Sequence, residues 1–316
     1  MQTKADVVTL TANPALDIAT SVAKVESVNK LRCEAPRFDP GGGGINVARV
    51  VHRLGGSTLA VFPSGGPTGQ RLAGLLQDAG VPTRPIAVAE DTRESFNITD
   101  RGDGAEYRFI LPGPHLTEAE LGQCLDAALD AAHAGGFLVV SGSLPPGAPT
   151  TVIGDLARRA KAAGLRLVVD TWGPTLAAAL EAGVHLIKPN LRELSDHLDR
   201  ALPDMDTRMA ACRELIAAGR TEMVALSLSE QGAMLVTAEE AWSVPAAPIK
   251  PASTVGAGDS FLAGLVWALG QGREPRDALR FAAASGAATL LSPGTELCHR
   301  DDVFRLVEQI EPSRLG

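Results

Sequence analysis

The feature that most constrains the fold is a repeated alternation of short apolar runs with longer amphipathic stretches. The apolar runs are bounded by turn residues and fit buried strands at 7–11, 58–62, 137–140, 165–169, 185–187 and 223–228. Helical patterns occupy 45–54, 70–78, 118–132, 151–163, 175–182, 207–218, 257–270, 275–291 and 301–310. Strands that alternate with helices are typical of a parallel sheet with helices on both faces. The sequence therefore predicts an α/β fold with a doubly wound, mostly parallel sheet.

Two segments interrupt this alternation, at approximately 19–39 and 84–111, and both have strand-like patterns without an intervening helix. In the second, 95–99 and 105–110 flank a turn of Gly and Asp, which is a hairpin signal. We expect the two segments to form one small antiparallel sheet that projects from a single domain spanning 1–316. Such a sheet would act as a lid, as a dimer surface, or as both. An ordinary pair of surface hairpins is the alternative.

Composition excludes several classes of function. The net charge is −8 and there is no basic run, which argues against a nucleic-acid or anionic-membrane partner. No apolar run approaches the length of a membrane span, and the N-terminus lacks the apolar region of a signal peptide. The four cysteines are far apart and form no C-x-x-C pair, which predicts free thiols in a reducing cytoplasm rather than a zinc site.

The stretch 253–260 has the parts needed for phosphoryl transfer. Gly256 and Gly258 precede an apolar helical run, and a helix N-terminus with close backbone access attracts phosphate. Asp259 at that end can accept a proton from a nearby hydroxyl. The alternative is that Asp259 only caps the helix and that the glycines only form a turn.

A run of glycines, 41–44, stands before another helical stretch and is followed by Asn46. Four consecutive glycines have no use in a packed core, so they predict backbone wrapped around a small polar ligand, with a flexible loop as the alternative. Asp17 follows the first strand, where open α/β sheets bind ligands, although it also fits a turn. Cations in or beside the predicted lid are suited to a substrate phosphate, or to a plain solvated surface: Lys30, Arg32 and Arg93.

Two further loops follow predicted strands. Asn190 and Glu193 are three residues apart, and oxygen ligands at this spacing suit magnesium, directly or through its waters. The same pair fits a helix capping box. The small residues of 227–232 suit the phosphates or ribose of a nucleotide. The chain has no G-x-x-x-x-G-K-[ST] motif and no dinucleotide fingerprint, which argues against a P-loop enzyme and a nicotinamide oxidoreductase.

Each loop is a weak signal alone, but their order along the chain resembles the ribokinase-like (PfkB) family of carbohydrate kinases over essentially its whole length. The matching segments are 11–17, the glycine loop with I-N-V-A-R, S-G-S-L-P-P-G at 141–147, 188–193 and 254–259. Within the family, 30–33, 38–46 and 297–298 resemble the minor bacterial 6-phosphofructokinases. Tagatose-6-phosphate kinases and 1-phosphofructokinases usually have lysine where Gly43 stands here. The resemblance implies a β-sheet lid that also forms a homodimer.

The resemblance also implies roles for individual positions. Asp259 is implied as the base for the sugar hydroxyl, and Gly256, Ala257 and Gly258 as the anion hole for the γ-phosphoryl group. The implied sugar-phosphate ligands are Asp17, Gly42, Gly43 and Asn46, with Arg93 at the phosphate and Lys30 and Arg32 nearby.

For the nucleotide, Asn190 and Glu193 are implied to organise Mg²⁺. Two positions depart from the family pattern: Ser229 stands where glycine is usual, and 170–173 reads Asp-Thr-Trp-Gly rather than Asp-x-Ser-Gly. The implied ATP contacts are Lys188, Ser227, Ser229, Gly232 and Gly258, and the implied potassium loop involves Ser253, Val255, Ser292 and Gly294.

The expected activity is therefore ATP-dependent phosphorylation of the 1-hydroxyl of fructose 6-phosphate, a glycolytic step with ATP and Mg²⁺ as cofactors. The same chemistry on tagatose 6-phosphate or fructose 1-phosphate is the nearest alternative. A sugar-phosphate sensor without catalytic activity is an alternative from another class of protein.

Overall fold

The computed structural model describes residues 4–27, 29–249 and 253–316, and the structural statements below refer to these residues. The strands are β1 Ala5–Leu10, β2 Ala15–Val22, β3 Arg37–Gly41, β4 Thr58–Ser64, β5 Thr83–Ala87, β6 Arg93–Asp100, β7 Glu106–Ile110, β8 Ala132–Ser141, β9 Arg166–Asp170, β10 Val184–Ile187, β11 Thr221–Ser227, β12 Ala233–Val236, β13 Ala241–Val244 and β14 Ser313–Leu315. The helices are α1 Gly43–Arg53, α2 Gly66–Asp78, α3 Glu118–Ala131, α4 Val152–Ala162, α5 Gly173–Ala182, α6 Leu191–Leu198, α7 Met205–Ala217, α8 Ala257–Gly270, α9 Pro275–Leu290 and α10 Arg300–Val307. A short 3-10 turn covers Ser229–Gln231.

Ten strands form one sheet in the order β14-β13-β12-β11-β10-β9-β8-β1-β4-β5. The part from β11 to β5 is parallel throughout, which confirms the predicted fold class. The chain leaves β1 towards β4 and β5 on one side, and later leaves β8 towards β11 on the other. A doubly wound sheet binds ligands beyond the carboxyl ends of its strands at such a switch point, here between β1 and β8.

Helices cover both faces of this sheet, each with its own apolar core. Residues of α3 to α7 pack on one face, and residues of α1, α8, α9 and α10 pack on the other. Phe137 of β8 is fully buried in the second core. Burial of such a side chain contributes about 2–3 kcal/mol, and the accumulation of many such contributions holds the loops at the sheet edge in place.

The sheet extends further at both edges than the sequence predicted. β12, β13 and β14 continue it as an antiparallel meander beyond β11. At the other edge β5 pairs in parallel with β4, so Arg84 belongs to the large sheet. The second lid segment, predicted over 84–111, therefore begins too early. A short strand at a sheet edge and a lid strand have the same alternating pattern, so the sequence could not separate them.

The predicted small sheet is present, in the order β3-β2-β6-β7. β2 pairs with β3 and β6 with β7 in antiparallel fashion, whereas β2 and β6 pair in parallel. A parallel pair requires a long crossover, which the chain provides through α1, β4, α2 and β5. The small sheet also begins earlier than predicted, since β2 includes Ala15–Ile18. Among the described residues, no helix is long and apolar enough to cross a membrane.

Candidate active site

A cavity of about 170 Å³ lies where the small sheet meets the starts of α1 and α8. Side chains at alternate positions of β2, β6 and β7 point the same way, so one face of the small sheet contributes to the cavity wall. The lining residues are Ala15, Asp17, Gly42, Gly43, Asn46, Arg93, Ser95, Phe96, Asn97, Arg108, Ile110, Val255, Gly256, Asp259 and Thr295.

The start of α8 forms one end of this cavity. Gly256 is the N-cap with φ of 76°, and among the described residues no side chain caps this helix end. A side chain at Gly256 would run into Leu297, so only glycine fits this left-handed position. The backbone N–H groups that open α8 are consequently available to an anion, and the helix dipole favours negative charge there.

Asp259 lies in the first turn of α8, and its Oδ2 accepts a hydrogen bond of 2.8 Å from Asn46 Nδ2. Burial raises the pKa of the Asp259 carboxyl, and the negative charge of Asp170 raises it further. The Asn46 hydrogen bond and the positive charges of Lys188 and Arg108 oppose this rise in pKa. A carboxylate with an elevated pKa that faces a small polar cavity is suited to accept a proton from a bound hydroxyl.

The glycine loop brings backbone against polar side chains on both sides. A Cβ atom at Gly41 would overlap the Asp17 carboxylate, and one at Gly43 would overlap Ser141 Oγ. Partial burial raises the pKa of Asp17 to about 6, while Arg108 lowers it. The glycines thus allow Asp17 and the loop to share one narrow space, and ligand binding by this turn stays a prediction.

Three polar cavity residues of the small sheet were missed from the sequence. Ser95 and Asn97 share the cavity face of β6, and Arg108 lies opposite Asn97 on β7. Asn97 is buried, and its Oδ1 has no hydrogen-bond partner within the described chain. The alternation along β6 and β7 was the signal that could have identified these positions, once the hairpin was assigned to a lid.

The three predicted lid cations differ in position. Arg93 lines the cavity and donates to the backbone carbonyls of Asn13, Pro14 and Leu111. These bonds use three of its five N–H donors, and burial lowers the pKa of its guanidinium. Lys30 and Arg32 are exposed in the connection between β2 and β3, and neither lines the cavity.

Behind the start of α8, a buried ion pair joins two strand ends. Lys188 Nζ lies 3.0 Å from Asp170 Oδ1, and Ser141 Oγ donates to Asp170 Oδ2 at 3.0 Å. A Cβ atom placed on Gly258 would lie 3.7 Å from Lys188 Nζ, so the ammonium group is beside the exposed glycine of α8. Asp170 and Asp259 raise the pKa of Lys188 against the effect of its burial. Lys188 therefore places an ammonium group, paired with Asp170, next to the open helix end.

Asn190 and Glu193 form the capping box that was the structural alternative. Asn190 Oδ1 accepts from the Glu193 N–H, and Glu193 Oε2 accepts from the Asn190 N–H, both at 2.9 Å. This box starts α6 and leaves Glu193 Oε1 outside these two bonds. Burial raises the pKa of Glu193. The described residues contain no group of three or more His, Cys, Asp or Glu side chains that could hold a metal ion.

The loop after β11 has an unusual backbone. Ser229 adopts φ of 52°, in the region that favours glycine, and Gly232 has φ of 94°. A Cβ atom at Gly232 would overlap the carbonyl oxygen of Val244, so glycine is required there. Ser227 pairs with Asn190 in an isolated bridge, which brings this loop next to the α6 cap. The loop residues predicted to contact a nucleotide and those predicted to organise a metal are thus neighbours.

The residues of the predicted potassium loop lie before α8 and after α9. Ser253 and Ser292 are both buried, and Ser253 Oγ accepts from the Val255 N–H at 3.3 Å. Gly294 has φ of 60° and follows the end of α9. The contacting helices α8 and α9 thus flank both loops.

Comparison with known proteins identifies relatives over nearly the whole chain. The family described as "pfkB family carbohydrate kinase" matches residues 10–302. The ATP-dependent 6-phosphofructokinase isozyme 2 of Mycobacterium tuberculosis is 46% identical, over 99% of this chain and 92% of its own length. The 1-phosphofructokinase of Vibrio cholerae is 32% identical, over 98% of this chain and 97% of its own length.

Solved structures of phosphofructokinase-2 from Escherichia coli have the same fold. The potassium complex has a TM-score of 0.93 at 40% identity, and the fructose-6-phosphate complex has 0.92 at 38% identity. The tetrameric inhibited form of the same protein has a TM-score of 0.91 at 39% identity. Each comparison covers 96% of this chain and 99% of the other. The chain belongs to the pfkB family of carbohydrate kinases.

Proposed function

We propose that this protein transfers the γ-phosphoryl group of ATP to the 1-hydroxyl of fructose 6-phosphate, which yields fructose 1,6-bisphosphate and ADP. The relative from M. tuberculosis carries the name of this activity, and the E. coli protein has been solved with fructose 6-phosphate. One observation carries the proposal. Asp259 accepts a hydrogen bond from Asn46 and lies at the glycine-lined start of α8, in the cavity that Asp17 also lines.

In the proposed reaction Asp259 accepts the proton of the 1-hydroxyl as its oxygen attacks the γ-phosphorus. The bond between this phosphorus and the oxygen that bridges to ADP breaks, and ADP leaves. The N–H groups of Gly256, Ala257 and Gly258 stabilise the charge on the transferred group, together with the Lys188 ammonium beside Gly258. Enclosure of the cavity keeps out water that would otherwise hydrolyse ATP.

Sugar recognition is assigned to the glycine loop and to the small sheet. Asp17, Gly42 and Asn46 would form hydrogen bonds with the sugar hydroxyls. Arg93 would bind the 6-phosphate with the N–H donors that do not contact backbone carbonyls. Arg108 adds a second cation on the same cavity wall. Lys30 and Arg32 can contribute only if their connection folds over the cavity, and their role remains a prediction.

The nucleotide would lie on the loops at the ends of β10 and β11, in contact with Lys188, Ser227 and Gly232. Mg²⁺ supplies charge neutralisation of the phosphates when it is bound. It keeps several waters and needs few protein ligands, so the free Oε1 of Glu193 fits it, directly or through water. The capping box holds Glu193 in place for this role.

A monovalent-cation site in the loops of Ser253, Val255, Ser292 and Gly294 is supported by the E. coli structure that contains potassium. The cation would stabilise the loop that leads into α8 and hence the anion hole. We expect K⁺ to raise kcat more than Na⁺ does, at constant ionic strength, if the proposal is correct. Equal rates in the two salts would contradict it.

We also propose that the chain is a single domain, that the small sheet is its lid, and that two copies associate through it. Strand β7 is at the sheet edge and exposes Tyr107, Phe109 and Ile110, by 37%, 52% and 63%. An unpaired edge with apolar side chains favours association. Light scattering should give the mass of a dimer or a multiple of it, and charged substitution at Phe109 should reduce that mass.

The nearest alternatives are the same chemistry on tagatose 6-phosphate or fructose 1-phosphate. Gly43 packs against Ser141, at a position where kinases for those sugars usually have lysine. The 1-phosphofructokinases are also less similar to this chain than the isozyme 2 proteins. A sensor without catalytic activity is the remaining alternative, and the intact Asp259 and anion hole argue against it.

A coupled assay of ADP release decides between these possibilities. Purified protein is supplied with ATP, Mg²⁺ and each of fructose 6-phosphate, tagatose 6-phosphate and fructose 1-phosphate. We expect the highest kcat/KM on fructose 6-phosphate. A higher value on either other sugar would reassign the substrate, and no ADP release with any sugar would support the sensor.

A further inference from the structure

Arg49 is a buried arginine on α1 that the sequence analysis did not single out. It is 6% exposed, and its Nη1 donates to the backbone carbonyl of Pro40 at 2.9 Å and to Asn46 Oδ1 at 3.2 Å. Its Nη2 lies 3.8 Å from Asp39 Oδ1. Arg49 therefore links the residue that holds Asp259 to the end of strand β3 of the small sheet.

The chemistry of arginine determines which way the Asn46 carboxamide is turned. A guanidinium group has donors only, so the atom of Asn46 that faces Arg49 must be the amide oxygen. The NH2 group is then on the opposite side, where it donates to Asp259 Oδ2. Without Arg49, the carboxamide could rotate by half a turn and present its oxygen to the Asp259 carboxylate. Two acceptors would then face each other.

We propose that Arg49 is a positioning residue for phosphoryl transfer, which keeps the NH2 group of Asn46 on Asp259 and ties this orientation to strand β3. This inference rests on the proposed function of Asp259 as the base. The tie to β3 continues through Asp39, whose Oδ2 accepts from Arg37 Nε at 2.8 Å and from Thr295 Oγ1 at 2.5 Å.

The orientation of the carboxamide affects the protonation of Asp259. A hydrogen bond to the ionised carboxylate favours it, whereas a facing carbonyl oxygen favours the protonated acid. The other charged groups that act on Asp259 are Asp170 of β9, Lys188 after β10 and Arg108 of β7. None of these is removed with Arg49. Arg49 also lowers the pKa of Asp17, so the acid limb is compared with that of Asp17→Asn to assign its shift to Asp259.

A purely structural role is the alternative, because Arg49 also holds the Pro40 carbonyl and pairs with Asp39. Arg280 offers a matched control outside the cavity. Its Nε and Nη2 donate to the backbone carbonyls of Ile310 and Val307, both at 2.9 Å. Loss of either arginine removes contacts with backbone carbonyls, but only Arg49 contacts Asn46.

The test compares Arg49→Met, Arg49→Lys and Arg280→Met in their dependence of kcat on pH. Loss of the orienting hydrogen bond should lower kcat about 10- to 100-fold in Arg49→Met. The acid limb of its profile should move up by about one pH unit. Arg49→Lys retains a cationic N–H donor group and should recover part of both effects, and Arg280→Met should keep the wild-type profile. An unmoved acid limb in both Arg49 variants would overturn the proposal.

A second measurement does not depend on activity or on a folded Arg49→Met variant. The side-chain amide signals of Asn46 in the ¹⁵N spectrum of the wild-type protein can be assigned by their loss in Asn46→Ala. We expect them to shift with the titration of Asp259, to lose this pH dependence in Asp259→Asn, and to move in Arg49→Lys. Signals that change neither in Asp259→Asn nor in Arg49→Lys would overturn the proposal. A wild-type protein without kinase activity would refute the proposed function, and these signals would still show whether Arg49 orients Asn46.

Discussion

The two halves of the candidate site differ in how far they are assembled without ligands. The sugar half is a cavity of about 170 Å³ whose polar side chains already bind one another, as in the contacts of Asn46 with Asp259 and Arg49. On the side proposed for the nucleotide, a groove of about 640 Å³ lies beside Asn190 and Glu193 and is also lined by Trp172, whereas Lys188, Ser227 and Gly232 lie outside it. Trp172 is 51% exposed there. The side chains of Asn190 and Glu193 bind each other's backbone N–H groups rather than any group across the groove.

This difference indicates that the two halves contribute to binding in different ways. The sugar half is preorganised, so its donors and acceptors need little rearrangement when the substrate binds. We propose that ATP and Mg²⁺ complete the nucleotide half when they bind. The Lys188–Asp170 pair lies at the junction and belongs to both halves.

The largest effect is expected from Asp259→Asn, which removes the base from the preorganised half. Loss of general-base catalysis should lower kcat by roughly 10²–10⁴. The KM for fructose 6-phosphate should change little, because the asparagine preserves the shape of the cavity. Steady-state kinetics measures both, with the exposed Asp78→Asn as control. Near-normal turnover in Asp259→Asn would show that another group is the base.

Removal of one partner of the junction pair should cause a large loss of stability. Asp170→Ala leaves the buried Lys188 ammonium without its carboxylate, which costs about 3–5 kcal/mol of unfolding free energy. The double variant Asp170→Ala/Lys188→Met removes both charges and should recover part of this loss. Urea unfolding of the two variants and the wild type provides the comparison. A single variant as stable as the double variant would show that the pair is not effectively buried.

Asp17 should make the stability of the ligand-free protein depend on pH. Its pKa in the folded state is about 6, above its ordinary value of 3.8, so the folded protein retains a proton that the unfolded chain releases. Stability should therefore fall as pH rises from about 4 to 6, and Asp17→Asn should remove this dependence. At pH 7.5 the variant should be more stable by about 2 kcal/mol, and at pH 4 it should match the wild type. Urea unfolding at both pH values measures the difference in stability between Asp17→Asn and the wild type. An equal difference at pH 4 and pH 7.5 would contradict the prediction.

The smallest effect is expected in the nucleotide half, at Ser229. Its left-handed backbone is strained for a residue with a side chain, so Ser229→Gly should stabilise the fold by about 0.5–1 kcal/mol. Ser227→Gly is the control, because Ser227 ends a strand and glycine weakens strands. Thermal unfolding should show opposite signs for the two variants. A loss of stability in both variants would show that the backbone of Ser229 is not strained.

Local signals in the sequence predicted much of this arrangement, and long-range pairings account for what it missed. The glycines of 41–44 and the spacing of Asn190 and Glu193 are local signals. The close approach of the glycine backbone to Asp17 and the capping box both follow from them, whereas ligand binding by the glycine turn stays a prediction. The assignment of β5 to the large sheet depends on its neighbour β4, which no local pattern specifies. The contact of Arg49 with Asn46 required atomic positions, since a helix spacing of three indicates proximity but not which atom of an amide faces a neighbour.

Calorimetric titration of the nucleotide-free protein with fructose 6-phosphate tests the central claim most directly. If the sugar half is preorganised around Asp17, Asn46 and Asp259, the sugar phosphate should bind saturably with one site per chain before any ATP is present. Binding that appears only after addition of a non-hydrolysable ATP analogue would contradict this account and would mean that the nucleotide assembles the sugar half as well.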